Sequence, residues 1–177
     1  MPDPLLPPGP QQTPLATLHA RALDTTRRPH PLNDTHAVET LNKLMNYHDD
    51  HDFASNTGMA LPESAGICLR ARILDAWTFA FLQRHAHEPV TVVHLACGLD
   101  ARCSRVPHRE GVRWVDVDLE EVVSLRRKVM PPPSGDYSLV VGSAADVGGW
   151  LGRIPADRPT VAVFEGLTMY LREEGIV

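Results

Sequence analysis

Cysteine is scarce in this chain: only Cys68, Cys97 and Cys103 occur among 177 residues, and no two stand in a Cys-x-x-Cys pair. An odd count without paired spacing excludes a disulfide framework and a zinc cluster, and fits thiols that stay reduced. No run of about 18 apolar residues is present, so no membrane-spanning helix is expected, and no basic segment followed by an apolar stretch marks a secretory leader. Positive charge is also thin, with 17 Lys and Arg against 22 Asp and Glu and a formal net charge of −5. The basic residues are scattered, whereas a nucleic-acid surface needs them clustered, so no nucleic-acid partner is expected. The resulting expectation is a cytoplasmic protein with a small-molecule partner.

What is present is a hydrophobic fraction of 43% in a chain long enough for one domain with a proper core. Residues 1–14 hold six prolines and are expected to form a disordered tail. An N-terminal helical region is expected over 15–88. It is interrupted at Arg28-Pro29-His30-Pro31 and restarts at a cap on Asn33 or Asp34. A helix over 37–47 follows, and the longest helix is expected over 63–85, with Ile67, Ala71, Leu74, Trp77 and Phe81 as its apolar stripe. From residue 89 to 177 the pattern turns to βαβ, with strands expected at 90–97, 113–117, 138–142 and 160–165 and a helix at 120–129 that ends before three prolines. The near-continuous run Thr160-Val161-Ala162-Val163-Phe164 suits a parallel strand buried on both faces. The acidic run His48-Asp49-Asp50-His51-Asp52 reads as a solvated polar segment and not as a metal site, because no third and fourth ligand accompany it.

The most informative stretch is Val92-Val93-His94-Leu95-Ala96-Cys97-Gly98-Leu99-Asp100-Ala101-Arg102, followed 20 residues after its glycine by Asp118. An apolar strand, a tight turn and a second strand ending in a carboxylate is how an open α/β sheet grips a ribose. A dinucleotide pyrophosphate needs several glycines around a helix N-terminus, and only Gly98 is available at this turn. S-adenosylmethionine carries a ribose without phosphate, so one glycine and one carboxylate suffice. That points to a methyltransferase.

Three segments in order, Cys97-Gly98-Leu99-Asp100-Ala101-Arg102, Val117-Asp118-Leu119-Glu120-Glu121-Val122 and Val163-Phe164-Glu165-Gly166-Leu167-Thr168-Met169-Tyr170-Leu171, resemble successive signatures of the leucine carboxyl methyltransferase family. Arg70-Ala71-Arg72 is similar to that family's Arg-Thr-Arg helix motif, and Ala20-Arg21-Ala22 with Asp34 and Ala37 to its N-terminal segment. The family includes the tetracenomycin-type polyketide O-methyltransferases, whose fungal branch is the nearest in pattern. The resemblance implies the class I S-adenosylmethionine-dependent methyltransferase fold, a Rossmann-like α/β architecture. It also implies three further strands and a helical insert, so this chain is expected to carry the first four strands only, as a C-terminally truncated member. Its last strand is then expected at an open sheet edge, through which self-association is an expected hazard.

Several side chains carry both a functional and a plain reading. Asp118 is expected to hold the ribose hydroxyls, with helix capping as the alternative, and Gly98 to allow close cofactor approach as well as the turn. A guanidinium on the long helix can hold the methionine carboxylate bidentately, and the resemblance favours Arg70. Arg72 is expected to pair with Asp75, and Arg21 to add a second positive charge at that carboxylate. Glu165 closes an apolar strand, where an ionised carboxylate needs a partner; the resemblance places it at the cofactor's methionine end. Asp146 and Val147 match the family's Asp-Leu pattern after a shift of register and are expected at the adenine, with a loop turn as the alternative. Asp100, Arg102 and Arg105 are expected to stitch the turn through ion pairs, and Cys97 to face the core. The function expected is O-methylation of a carboxylate or hydroxyl on a small molecule or a protein C-terminus, with S-adenosylmethionine as cofactor. A non-catalytic cofactor-binding subunit and a nicotinamide oxidoreductase are the alternatives.

Overall fold

A computed structural model of the chain describes residues 13–47 and 61–171. The expected tail and the His48–Asp52 run therefore lie largely or wholly outside the described residues. The exceptions are Thr13 and Pro14, which already belong to the first helix, α1 (Thr13–Asp24). Proline is tolerated there because the first turn of a helix has no intrahelical use for its missing N–H.

After α1 the chain doubles back. Both Leu32 and Asn33 donate their backbone N–H to Asp24 Oδ2, at 3.0 and 2.9 Å, which closes the loop. Asp34 then caps α2 (Thr35–Tyr47) by accepting the Ala37 N–H at 3.1 Å, so of the two expected cap residues the aspartate does the work. The long helix α3 (Leu61–Arg84) leads into β1 (Val90–Leu95), a four-residue helix α4 (Arg102–Arg105) and β2 (Val112–Asp118). Next come α5 (Glu120–Val129), β3 (Asp136–Val141), two short 3₁₀ turns, β4 (Thr160–Phe164) and a last 3₁₀ turn at Thr168–Tyr170. Glu120 and Glu121 open α5 and Arg126, Arg127 and Lys128 close it, a distribution that complements the helix dipole.

The four strands are all parallel in the order β3-β2-β1-β4. Pairing of Leu95 with both Val117 and Phe164, and of Val117 with Val140, brings the carboxyl ends of all four strands level. The chain runs outward from β1 through β2 to β3 and then returns to the other side of β1. This reversal of strand order opens a crevice at the carboxyl end of β1, where open α/β sheets bind their ligands.

Strand alternation sorts the core into layers. Val90, Val92, Val112, Trp114 and Val163 pack with Cys103 and with Leu74, Phe81 and Leu82 of α3 on one face. Val93, Val115 and Val117 meet Trp150 and Ile154 on the other. A third cluster joins α1, α2 and α5 through Leu18, Leu44, Val122 and Leu125, and includes Leu99 of the turn after β1.

Two expectations fail here. The expected apolar stripe of α3 fails at Trp77, which is 67% exposed, while Ala71 is buried, as are Cys68, Thr78 and Leu82, and Leu74 and Phe81 pack on the sheet. Apolar and polar residues are mixed around this helix, so the interval pattern did not place Trp77. The β4 strand is not buried on both faces, since Ala162 and Phe164 are exposed and only Val163 is buried, and among the described residues β4 pairs with β1 alone. Continuous apolarity reports strand propensity and not the number of covered faces.

Gly142, at the end of β3, shows how tightly the second layer is packed. A Cβ there would stand 2.6 to 2.9 Å from the Trp150 indole and its Cβ. Gly142→Ala is expected to displace the indole and cost about 1–3 kcal/mol, read by urea denaturation with tryptophan emission; an unchanged midpoint would refute the close packing.

Candidate active site

The carboxyl ends of the strands enclose a cavity of about 530 Å³, within the range of small-molecule sites. Its floor is the turn after β1. Ala96 and Gly98 both take left-handed backbone angles, φ +49° and +52°, and a Cβ on Gly98 would press on the Pro14 side chain at 3.2 Å. An alanine in that region is uncommon, and such conformations persist only where surrounding structure holds them.

What holds the turn is a set of hydrogen bonds from β2 and α5. The Gly98 N–H donates to Asp118 Oδ2 at 2.6 Å, and the Leu119 N–H donates to Asp118 Oδ1 at 2.8 Å. Asp118 therefore ties two strand ends together and does not cap α5 with its side chain. Asp118 lines the cavity, and each of its oxygens keeps lone pairs for further donors. Burial raises the Asp118 carboxyl above the usual aspartate value, and the Gly98 and Leu119 hydrogen bonds only partly offset this. From α5, Arg126 donates to the carbonyls of Gly98 and Asp100 at 2.9 and 2.8 Å, and to Asp116 Oδ2 at 2.6 Å.

Asp116 is fully buried and also accepts from Tyr137 Oη and Trp114 Nε1, both at 2.8 Å. Beside it, His94 Nδ1 lies 3.3 Å from Asp116 Oδ1, and His94 Nε2 lies 3.2 Å from Arg102 Nη1. Burial opposes ionisation of Asp116, but Arg126 and His94 outweigh it and hold the carboxyl below its usual value. Likewise Asp100 is held well below the usual range, where Arg105 and Arg102 outweigh its burial. The sequence pointed to none of Asp116, His94 or Arg126. The available signal was the second aspartate in Val115-Asp116-Val117-Asp118, on the same strand face as the first, which an apolar strand carries only if it has a partner.

At the opposite end of the cavity Arg70 and Glu165 meet, Nε to Oε1 at 2.9 Å. Glu165 Oε2 accepts from the buried Arg102 at 2.7 Å. Arg21 also lines the cavity, but it is only 3% exposed, its Nη2 donates to Leu99 O at 3.1 Å and its Nε lies 3.4 Å from Asp34. Arg72 is not the partner of Asp75: it donates to Pro31 O, while Asp75 receives Arg102 and Arg105. The expectation that Asp100, Arg102 and Arg105 form ion pairs matches the structure, and the pairs reach further than the turn, to α3, the α2 cap and β4.

Asp146 and Val147 stand beside the cavity but do not line it. The lining after β3 is Gly142, Ser143, Ala144 and Ala145, while Asp146 donates its N–H to Ser143 O in a turn. At the mouth, Tyr170 Oη and Thr13 Oγ1 are 3.2 Å apart, which joins the two ends of the described chain. All three cysteines are free and buried. Burial pushes the Cys97 thiol well up and those of Cys68 and Cys103 to about 12, so none is a nucleophile at neutral pH. No cluster of metal-ligating side chains occurs among the described residues, and no helix there is long and apolar enough to cross a membrane.

Parallel strands, a reversal point and a carboxylate at the end of β2 define the nucleoside-binding class of α/β folds. The family model described as leucine carboxyl methyltransferase matches residues 15–147, and the chain belongs to that family. It is 42% identical over 166 residues to the tetracenomycin polyketide synthesis O-methyltransferase TcmP of Streptomyces glaucescens, covering 93% of this chain and 57% of that protein. It is 36% identical over 180 residues to the S-adenosyl-L-methionine-dependent methyltransferase dpfgK of Gibberella zeae, covering 96% of this chain and 58% of that one. The chain thus spans somewhat over half the length of the curated relatives it matches.

Two outcomes test this electrostatic frame. Asp116→Ala leaves Arg126 buried without its carboxylate, which is expected to cost about 3–5 kcal/mol in chemical denaturation; a loss below about 1 kcal/mol would show that the pair is dispensable. Because Asp100 and Asp116 titrate lower in the folded protein than in the unfolded one, their stabilisation is complete above the ordinary aspartate pKa. It is lost as pH falls through their depressed values. Asp118, raised by burial, works the opposite way and gives back part of the loss. The denaturation midpoint is expected to fall as pH drops below about 4, and less steeply in Asp116→Ala.

Proposed function

We propose that the cavity binds S-adenosylmethionine and that the chain serves an O-methyltransferase acting on a carboxylate or hydroxyl, on a small molecule of polyketide type or on a protein C-terminus. The observation that carries this reading is the pairing of one carboxylate at the end of β2 with a turn that is followed by no extended helix. The helix after that turn, α4, is only four residues long, so it offers no extended helix N-terminus for a pyrophosphate. Asp118 presents two buried oxygens on that side of the cavity and Glu165 with Arg70 forms an acid–base pair on the other. A ligand with a ribose at one end and an amino-acid zwitterion at the other matches both ends, and a dinucleotide matches neither as well.

Asp118 would accept the ribose hydroxyls and Gly98 would let the ligand approach the backbone. Arg70 would exchange Glu165 for the ligand's carboxylate, leaving Glu165 to accept the ammonium. Ala144 and Ala145 would face the adenine, with Asp146 and Val147 held at the rim. When bound, S-adenosylmethionine supplies an electrophilic methyl group on a sulfonium, so the protein's contribution is orientation and exclusion of water. The role of TcmP in polyketide synthesis favours a polyketide oxygen as acceptor.

The test is a thermal shift with S-adenosylhomocysteine and with NAD. Ligand at about 100 times Kd is expected to stabilise the fold by about 2.7 kcal/mol, with no shift from NAD. Absence of any shift at saturating S-adenosylhomocysteine would reject the proposal. Asp118→Ala is expected to weaken binding about tenfold or more, as the loss of charge-assisted hydrogen bonds implies. In the parent protein, affinity is expected to fall on acidification at a higher pH than an ordinary aspartate would require, since the ionised form accepts the hydroxyls and burial has raised its pKa.

A further inference from the structure

Arg102 lies beside the cavity without lining it, and its guanidinium meets four side chains. It is fully buried at the start of α4. Its Nε donates to Asp75 Oδ1 at 2.8 Å, its Nη1 contacts His94 Nε2 at 3.2 Å and its Nη2 donates to Glu165 Oε2 at 2.7 Å, with Asp100 Oδ2 at 3.3 Å. One guanidinium thus spans α3, β1, the turn after it and the end of β4. The planar fork matters, because an ammonium is a point donor and cannot reach partners on three sides at these distances.

The consequence falls on Glu165. A glutamate has three side-chain torsions, and at the end of an edge strand nothing in its own backbone fixes where its carboxylate points. Oε2 is held from the buried side by Arg102, while Oε1 faces Arg70, which is 46% exposed on its side chain and lines the cavity. We propose that Arg102 is a positioning residue for the amino-acid end of the cofactor: by anchoring Oε2 it presents Oε1 to the cavity in one orientation. This rests on the S-adenosylmethionine reading and adds to it a residue outside the cavity lining that acts on the amino-acid end through Glu165.

The test separates the two ends of the ligand. S-adenosylhomocysteine carries the amino-acid end, and 5′-methylthioadenosine keeps the nucleoside and thioether without it. In Arg102→Lys, affinity for S-adenosylhomocysteine is expected to fall about tenfold to a hundredfold, the range of a misplaced charge-assisted contact. Affinity for 5′-methylthioadenosine is expected to change less than about twofold, within the ordinary scatter of a distant substitution. In the Glu165→Gln background the same substitution is expected to add nothing to the loss. Equal loss of both ligands, or an additive loss on Glu165→Gln, would overturn the proposal. Should Arg102→Lys fail to fold, Asp75→Asn provides the second route, since Asp75 lies outside the cavity and restrains Arg102 from α3. It is expected to show the same selectivity at smaller size, and unselective loss would again overturn the proposal. Parent protein that binds neither nucleoside would instead reject the cofactor reading itself, and this inference with it.

Discussion

The hydrogen bond from the Gly98 N–H to Asp118 joins the turn after β1 to the end of β2, and every feature of the cavity stands in relation to it. The left-handed backbone of Ala96 in this turn is unfavourable on its own, and a buried carboxylate is unfavourable on its own. Here each relieves the other: the carboxylate supplies the acceptor that holds the turn, and the turn supplies an N–H that compensates part of the cost of burial. Arg126 completes the arrangement from α5 by taking the Gly98 and Asp100 carbonyls, so the donors and acceptors of a sharp backbone reversal are met from two neighbouring elements.

Beyond that turn, the sheet carries an unusual amount of buried charge. Asp116 and Arg126 sit inside the layer between β2 and α5, while Asp75, Asp100, Arg102 and Arg105 link α3 to the turn and Glu165. Replacing such pairs with apolar residues often leaves stability unchanged, so bulk stability does not explain them. Their geometric consequence is specific: Arg126 holds the carbonyls of the turn after β1, and Arg102 holds one oxygen of Glu165.

The α/β architecture, the four parallel strands, and the places of Gly98, Asp118, Arg70 and Glu165 at the cavity were legible in the chain. Strand–turn–strand spacing and a carboxylate at a strand end are local patterns, set by backbone geometry over a few residues, and these survive folding unchanged. The exposure of Trp77 was not legible, because apolar residues are spread around α3 and which of them are covered depends on the neighbours that pack against it. Asp146 was expected at the adenine or in a loop turn, and its N–H closes a turn on Ser143 just after the residues that line the cavity.

By itself, then, the sequence determined the order of elements, the reversal glycine and the acid that follows β2, since each depends on near neighbours in the chain. Only the tertiary structure decided which charges pair. Arg102 meets Glu165 across 63 positions and Arg70 meets it across 95, and Asp75 turns from its helical neighbour Arg72 to two arginines on another element. An ion pair depends on distance and burial in space, and neither is defined until the strands and helices have packed.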